Sequence, residues 1–334
     1  MYKSTFEGDI FVFEIILQLA PFLLLFLFLQ FGVKHRTNHP ILYEWIIRII
    51  YTIIMVGYAF VAIYNSPAFL AIDQLGEKKT LQSVALAIVS IAALLIFIPP
   101  IRRLISRSIS IDPDNSVHTV SLSLTFLVFH VYILTAFSLE ELIEEASQGT
   151  TISTLWTQDI LLALIALAGV GWLQKRNTKE TFARLGLVRP TARLFITGIA
   201  IAMGFVVINV ILEQLASIIG IGIDPNVDKV TDQELGPLFS TIPGILTLGL
   251  AAALGEELIF RGAILPRFGL IYTSILFTLV HANYGLSVAT LIVFVLAISL
   301  GILRQRYSTT LTMITHASYN IILGLLALIG SQFT

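Results

Sequence analysis

Two adjacent carboxylates and an arginine stand in the stretch Gly255-Glu-Glu-Leu-Ile-Phe-Arg261, inside an apolar run from about Leu238 to Leu265. An ionised group at bilayer depth costs about 2.5–3.5 kcal/mol on insertion scales, so three within a few residues need a reason. On a helix Glu257 and Arg261 are spaced i,i+4 and pair across one turn. Glu256 points about 100° away from Glu257 and can face something else. One carboxylate is then held by the arginine while its neighbour stays free for chemistry.

Two further polar pairs lie downstream, each on one helix face: Phe277-Thr-Leu-Val-His281 and His316-Ala-Ser-Tyr-Asn320. A carboxylate beside a histidine can take a proton from water and return it to a leaving amine. A second histidine and an asparagine amide are donors suited to the oxyanion of a tetrahedral intermediate. The set reads as hydrolysis of an acyl bond by an activated water. The chain lacks cysteine, which removes thiolate chemistry, disulfides and Cys-based metal sites.

The elements that must position these groups are membrane helices. The chain is 56% hydrophobic and 12% charged over 334 residues, with a mean hydropathy of +0.89. A soluble domain carries about 25% charged residues. The expected fold is all-α, a polytopic transmembrane helix bundle of about 8–10 spans, each needing about 20 apolar residues. A net charge of -1 argues against a nucleic-acid partner. No small-residue cleavage site follows the first apolar run, so that run is expected to stay as an anchor.

Ten spans can be drawn, at Ile10 to Gly32, Ile41 to Tyr64, Thr80 to Ile98, Val117 to Phe137, Trp156 to Leu173, Leu194 to Ile219, Ile242 to Arg267, Leu270 to Asn283, Ser287 to Leu303 and Thr309 to Gly330. The eighth and ninth are short enough to be re-entrant, which would leave eight. Loops after odd-numbered spans hold fourteen of the twenty Lys and Arg, and the opposite side holds four. The positive-inside rule makes the richer side cytoplasmic and sends both termini to the other. Counted from the cytoplasmic ends at ~1.5 Å per residue, Glu256 and Glu257 lie about 15–18 Å deep, His281 about 17–20 Å, and His316 with Asn320 about 10–17 Å. The three motifs thus meet at one level. The basic connector 174–193 divides residues 1–173, transmembrane helices of unassigned role, from a core at 184–328 that holds the motifs.

In order on successive hydrophobic helices, Glu-Glu-x-x-x-Arg, Phe-x-x-x-His and His-x-x-x-Asn resemble the three motifs of the CPBP family, which groups type II CAAX prenyl endopeptidases with bacteriocin-processing and immunity proteins. The resemblance covers about 184–328, including the weaker Leu185-Gly-Leu187 segment. It implies an intramembrane endopeptidase in the cell membrane, acting on a membrane-associated or lipidated peptide or protein. Glu256 would activate water with His281, Glu257 and Arg261 would position it, and His316 and Asn320 would stabilise the oxyanion. The family is described both as metalloprotease and as metal-independent glutamate protease. If a zinc ion is present, Glu256, His281 and His316 could supply three ligands, although His-x-x-x-Asn lacks the second helical histidine of His-Glu-x-x-His.

Less specific roles suit the other polar residues in or near spans. His118 and His130 read as packing residues, and Glu44 with Arg48 as a self-satisfied i,i+4 pair. Glu14 and Glu213 lie toward the non-cytoplasmic ends, within reach of headgroups. Phe277 reads as core, and Tyr284 and Tyr319 as interfacial or packing residues. The acids Glu140, Glu141, Glu144 and Glu145 and the basic connectors read as solvated topology determinants. Gly220-Ile-Gly-Ile-Asp224 is loop-like and misses the Gly-x-Gly-Asp spacing of aspartyl proteases. The non-enzymatic alternatives are a transporter or proton-coupled exchanger and a non-catalytic immunity or binding protein. The N-terminal half has no counterpart of the motif region, which counts against a repeat-built transporter.

Overall fold

A computed structural model describes residues 2–66, 76–138, 149–219, 225–285 and 287–330; the side chains of 2–14, 18, 225 and 226 lie outside the description. The acids at 140–145, the 220–224 segment and the Glu14 side chain therefore fall outside it. The described residues are helical: α1 Tyr2–Lys34, α2 Pro40–Tyr64, α3 Glu77–Leu95, α4 Pro99–Ile105, α5 Ser116–Phe137, α6 Ile152–Gly169, α7 Thr178–Leu185, α8 Ala192–Ile218, α9 Pro225–Phe239, α10 Ile242–Phe268, α11 Leu270–Leu279, α12 Val288–Arg306 and α13 Thr309–Gly330.

Among the described residues nine helices are long and apolar enough to cross a membrane: α1, α2, α3, α5, α6, α8, α10, α12 and α13. The chain is a polytopic all-α bundle with a multi-pass architecture. Large apolar side chains such as Ile41, Ile53, Phe60, Ile196 and Ile218 are exposed on its flanks. A contiguous apolar exterior of that kind suits a lipid environment.

One of the ten drawn spans does not reach across. Helix α11 has ten residues, about 15 Å at 1.5 Å per residue, half of a hydrocarbon core of about 30 Å. It ends at Leu279; His281 follows in a turn, and a short 3-10 turn, Ala282–Tyr284, leads to Gly285 at φ 53. A left-handed backbone is open to glycine without a Cβ penalty, so the chain turns there. Helix α12, by contrast, runs its full nineteen residues and packs along α11 as an antiparallel neighbour.

Helix α10 lies at the centre. Half of its most apolar window is buried, against a third or less for the other spans. It packs on α6 and α13, while α13 also packs on α8. Small residues allow these approaches: a Cβ on Gly249 would stand 2.8 Å from the Ala317 carbonyl oxygen, and one on Gly324 2.8 Å from Ile245. Close backbone contact through small residues is the usual way membrane helices associate.

The basic connector contains a helix absent from the sequence reading. In α7 Asn177 and Glu180 form a reciprocal capping box, and Gly186 closes the helix at φ 73. Thr309 donates its backbone N–H to the Gly186 carbonyl at 2.9 Å and its hydroxyl to the Leu185 carbonyl at 2.5 Å. The Leu185-Gly-Leu187 segment thereby fixes the start of α13, and so the height of the side chains along it.

Candidate functional site

The middle of α10 is not an ordinary α-helix. From Glu257 to Ile264 it widens into π-type turns, closed by the Leu265 N–H on the Phe260 carbonyl. Arg184 of α7 reaches the carbonyls of this turn, with Nη1 at 3.0 Å from the Gly262 oxygen and Nη2 at 3.3 Å from that of Ala263. Single π stretches recur at functional sites because they re-aim side chains. Here the widened segment begins at the acidic pair.

The two glutamates have different surroundings. Glu257 is fully buried, with Oε1 2.9 Å from Arg261 Nη1 and 3.0 Å from His316 Nδ1. Arg261 is equally enclosed; its guanidinium lies 4.0 Å from the centre of the Phe277 ring, and Nη2 approaches the Ala297 carbonyl at 3.5 Å. Glu256 faces the other way. Its side chain is 19% exposed, and Oε2 stands 4.0 Å from His316 Nε2 with no hydrogen-bond partner among the described residues.

His316 thus stands between both acids. Nδ1 carries its proton toward Glu257, and Nε2 looks at Glu256 as an acceptor in the neutral ring or a second donor in the charged one. His281 donates Nδ1–H to the Phe277 carbonyl at 2.8 Å. A carbonyl only accepts, so the neutral ring keeps its Nε2 lone pair unused. Asn320 donates one amide hydrogen weakly to the Leu248 carbonyl, at 3.4 Å. Phe277 is buried, 4.9 Å from the His281 ring centre and 6.1 Å from that of His316.

Two cavities adjoin Glu256. One, of about 450 Å³, is lined by Glu256, His281, His316 and Asn320 together with Asp159, Glu213 and the tyrosines 284 and 319. The other, of about 760 Å³, is mostly apolar, walled by α1, α5, α6 and α10, and also reaches Glu256 and His281; Lys175, Arg176, Arg184 and Arg267 border it. Four of the six residues singled out from the sequence, Glu256, His281, His316 and Asn320, therefore line one chamber. The other two, Glu257 and Arg261, form a buried pair behind it.

Several other residues have a defined place. His130 bonds the Ser90 hydroxyl and the Phe126 carbonyl, both at 2.7 Å, which is a packing role. His118 accepts the Asp112 N–H at 2.9 Å and borders the larger cavity. Arg48 and Glu44 pair at 3.4 Å on an exposed face. Glu213 is exposed, borders the smaller cavity and accepts from Asn209 at 3.1 Å. Tyr284 stacks on His281, with 6.0 Å between ring centres.

The trio Glu256, His281 and His316 does not come together as a metal-binding group. Among the described residues, no set of three His, Cys, Asp or Glu side chains does. His316 has Nδ1 committed to Glu257 and keeps Nε2 toward Glu256. Sequence reasoning missed Asp159, a carboxyl on α6 that is 2% exposed and opens on the smaller cavity. The signal was present, since Asp159 is an acid within an apolar span.

Residues 238–322 match the family model of the type II CAAX prenyl endopeptidase, Rce1-like. That match supports a CPBP-family protease core in this segment and, with the membrane-spanning helices, an intramembrane endopeptidase of the CAAX type in general. No curated protein and no solved structure gives a match.

Proposed function

We propose that this chain is an intramembrane endopeptidase of the cell membrane that hydrolyses a peptide bond of a membrane-associated or lipidated substrate, with Glu256 as the base that activates water. The observation that carries this reading is the division of labour between adjacent carboxylates. Glu257 is tied to Arg261 and His316, while Glu256 keeps an oxygen unpartnered in a chamber that His281, His316 and Asn320 also line.

In the proposed step Glu256 takes a proton from water as the water oxygen attacks the scissile carbonyl carbon. The Nε2 lone pair of His281 orients the same water. The developing oxyanion receives hydrogen bonds from the free amide hydrogen of Asn320 and, when its ring is charged, from Nε2 of His316. As the carbon–nitrogen bond breaks, the proton held by Glu256 passes to the leaving amine, and the acid is again ionised. No metal takes part in this step. The Arg261–Glu257 pair holds His316 in place and leaves Glu256 as the acid free to react.

The apolar cavity of about 760 Å³ supports a substrate with a hydrophobic portion. Its walls include α1, α5 and α6, which gives the helices of residues 1–173 a role as one side of the binding chamber of the core at 184–328. The test compares the peptides of membranes containing the wild-type protein with those containing Glu256→Gln. Cleavage products confined to the wild type support the proposal. A purified Gln variant that cleaves at the wild-type rate ends it.

A further inference from the structure

Asp159 stands out among buried groups that the proposed step does not use. It is 2% exposed, and its Oδ1 has no hydrogen-bond partner among the described residues although it opens on the chamber of Glu256, His281 and His316. Contact with α10 is tight at this point. A Cβ on Gly255, the residue before Glu256, would run into the Asp159 carboxylate and stand 2.7 Å from its Cα and its carbonyl oxygen. Only glycine at 255 lets this carboxyl lie against the chain just ahead of the reactive glutamate. Asp159 also lies outside the matched segment 238–322.

Opposite charge near Asp159 is scarce. The α1 helix packs along α6, and its one charged described side chain, Lys34, is at the far end. From α10 it meets Glu256, with Arg261 already committed to Glu257. The remaining titratable groups around the chamber are His281, His316, Glu213, Asp228, Tyr284 and Tyr319. Two carboxyls enclosed in one site of low dielectric repel strongly when both are ionised, and such pairs hold a single proton between them.

We propose that Asp159 is a positioning residue that shares one proton with Glu256, carrying it while Glu256 stands ionised as the base. The proposal rests on the peptidase reading of the chamber and supplies a part of it from α6. Asp159 keeps its proton through the cycle: the water proton goes to Glu256 and then to the leaving amine, so the pair ends as it began. Loss of the shared proton at high pH turns the partner of Glu256 from a hydrogen-bond donor into a repelling charge.

The first test reads the proton directly, by infrared spectroscopy of the purified full chain in lipid nanodiscs. A protonated carboxyl stretch is expected near neutral pH, is lost in Asp159→Asn, and in Glu256→Gln persists only to a lower pH than in the wild type. The second test follows kcat and KM against pH with a substrate taken from the membrane comparison above. Asp159→Asn is expected to lower kcat about 10–100-fold, the range of one hydrogen bond to a charged group, to leave KM unchanged, and to remove the alkaline limb of the profile. A protonated band that Asp159→Asn leaves undiminished overturns the proposal whatever the chain hydrolyses, as does a variant whose activity falls equally at every pH. The expected bands in a protein that cleaves nothing would uphold the shared proton and overturn the peptidase reading with its catalytic use.

Discussion

Replacing Arg261 by methionine isolates the electrostatics that hold the site. The guanidinium is 2.9 Å from Glu257, and the two side chains are 2% and 0% exposed. Removing one partner of a buried ion pair leaves an uncompensated charge and costs about 3–5 kcal/mol. His316 at 3.0 Å remains as a second partner for Glu257, which places the expected loss toward the lower end, about 3 kcal/mol. That loss corresponds to about two powers of ten in the folding equilibrium. The variant Arg261→Met with Glu257→Gln removes both charges while an amide remains for His316, and is expected to recover most of the loss. The assay is reversible unfolding in mixed micelles, followed by circular dichroism across a denaturing-detergent titration. A cost under about 1 kcal/mol for Arg261→Met, or a double variant no more stable than the single, would refute the buried pair as the support of this site.

Glu256→Gln is expected to lower hydrolysis by about 10²–10⁴-fold in a chain that stays folded, since the amide keeps the shape of the side chain; kinetics and melting on one preparation check both halves. Gly249→Ala would set a Cβ 2.8 Å from the Ala317 carbonyl oxygen and is expected to destabilise by about 1–3 kcal/mol through α10–α13 separation, measured by the same titration. Glu234 in α9 lies outside the spans, and burial pushes its carboxyl up from the ordinary glutamate range, with the hydrogen bond from Asn283 acting the other way. The folded state then binds this proton more tightly than the unfolded one, so the contribution of Glu234 to stability falls as pH rises from the ordinary glutamate value through the raised one. Unfolding titrations across that window are expected to show the loss in the wild type and not in Glu234→Gln.

Much of this arrangement was legible because the bilayer makes polar residues conspicuous. Acids, an arginine and histidines inside apolar runs mark themselves, and counting from basic loop ends placed Glu256, His281 and His316 at one level. The i,i+4 spacing of Glu257 and Arg261 was enough to pair them, and a widened turn did not undo it. Other features were less legible. The span drawn for α11 was short enough to be re-entrant, and the chain does turn at Gly285, but composition does not report where a turn begins. Asp159 escaped because it stands alone in its span; its meaning comes from Gly255 on another helix, and that contact is a property of tertiary packing.

The shortness of α11 also shapes what surrounds it. Residues 280 to 285 leave regular helix at a depth where lipid offers no hydrogen bonds, and such backbone is tolerated only when protein or a wet cavity covers it. Helix α9 lies against this turn and is joined to it by Asn283 on Glu234 at 3.3 Å. Through Val227, Thr231, Leu235 and Phe239 this helix forms a roof over the reactive chamber. Buried Val230 and Leu238 anchor it, and the Glu234 carboxyl ties it to the turn, so the ionisation of a single roof carboxyl bears on how firmly the chamber is closed.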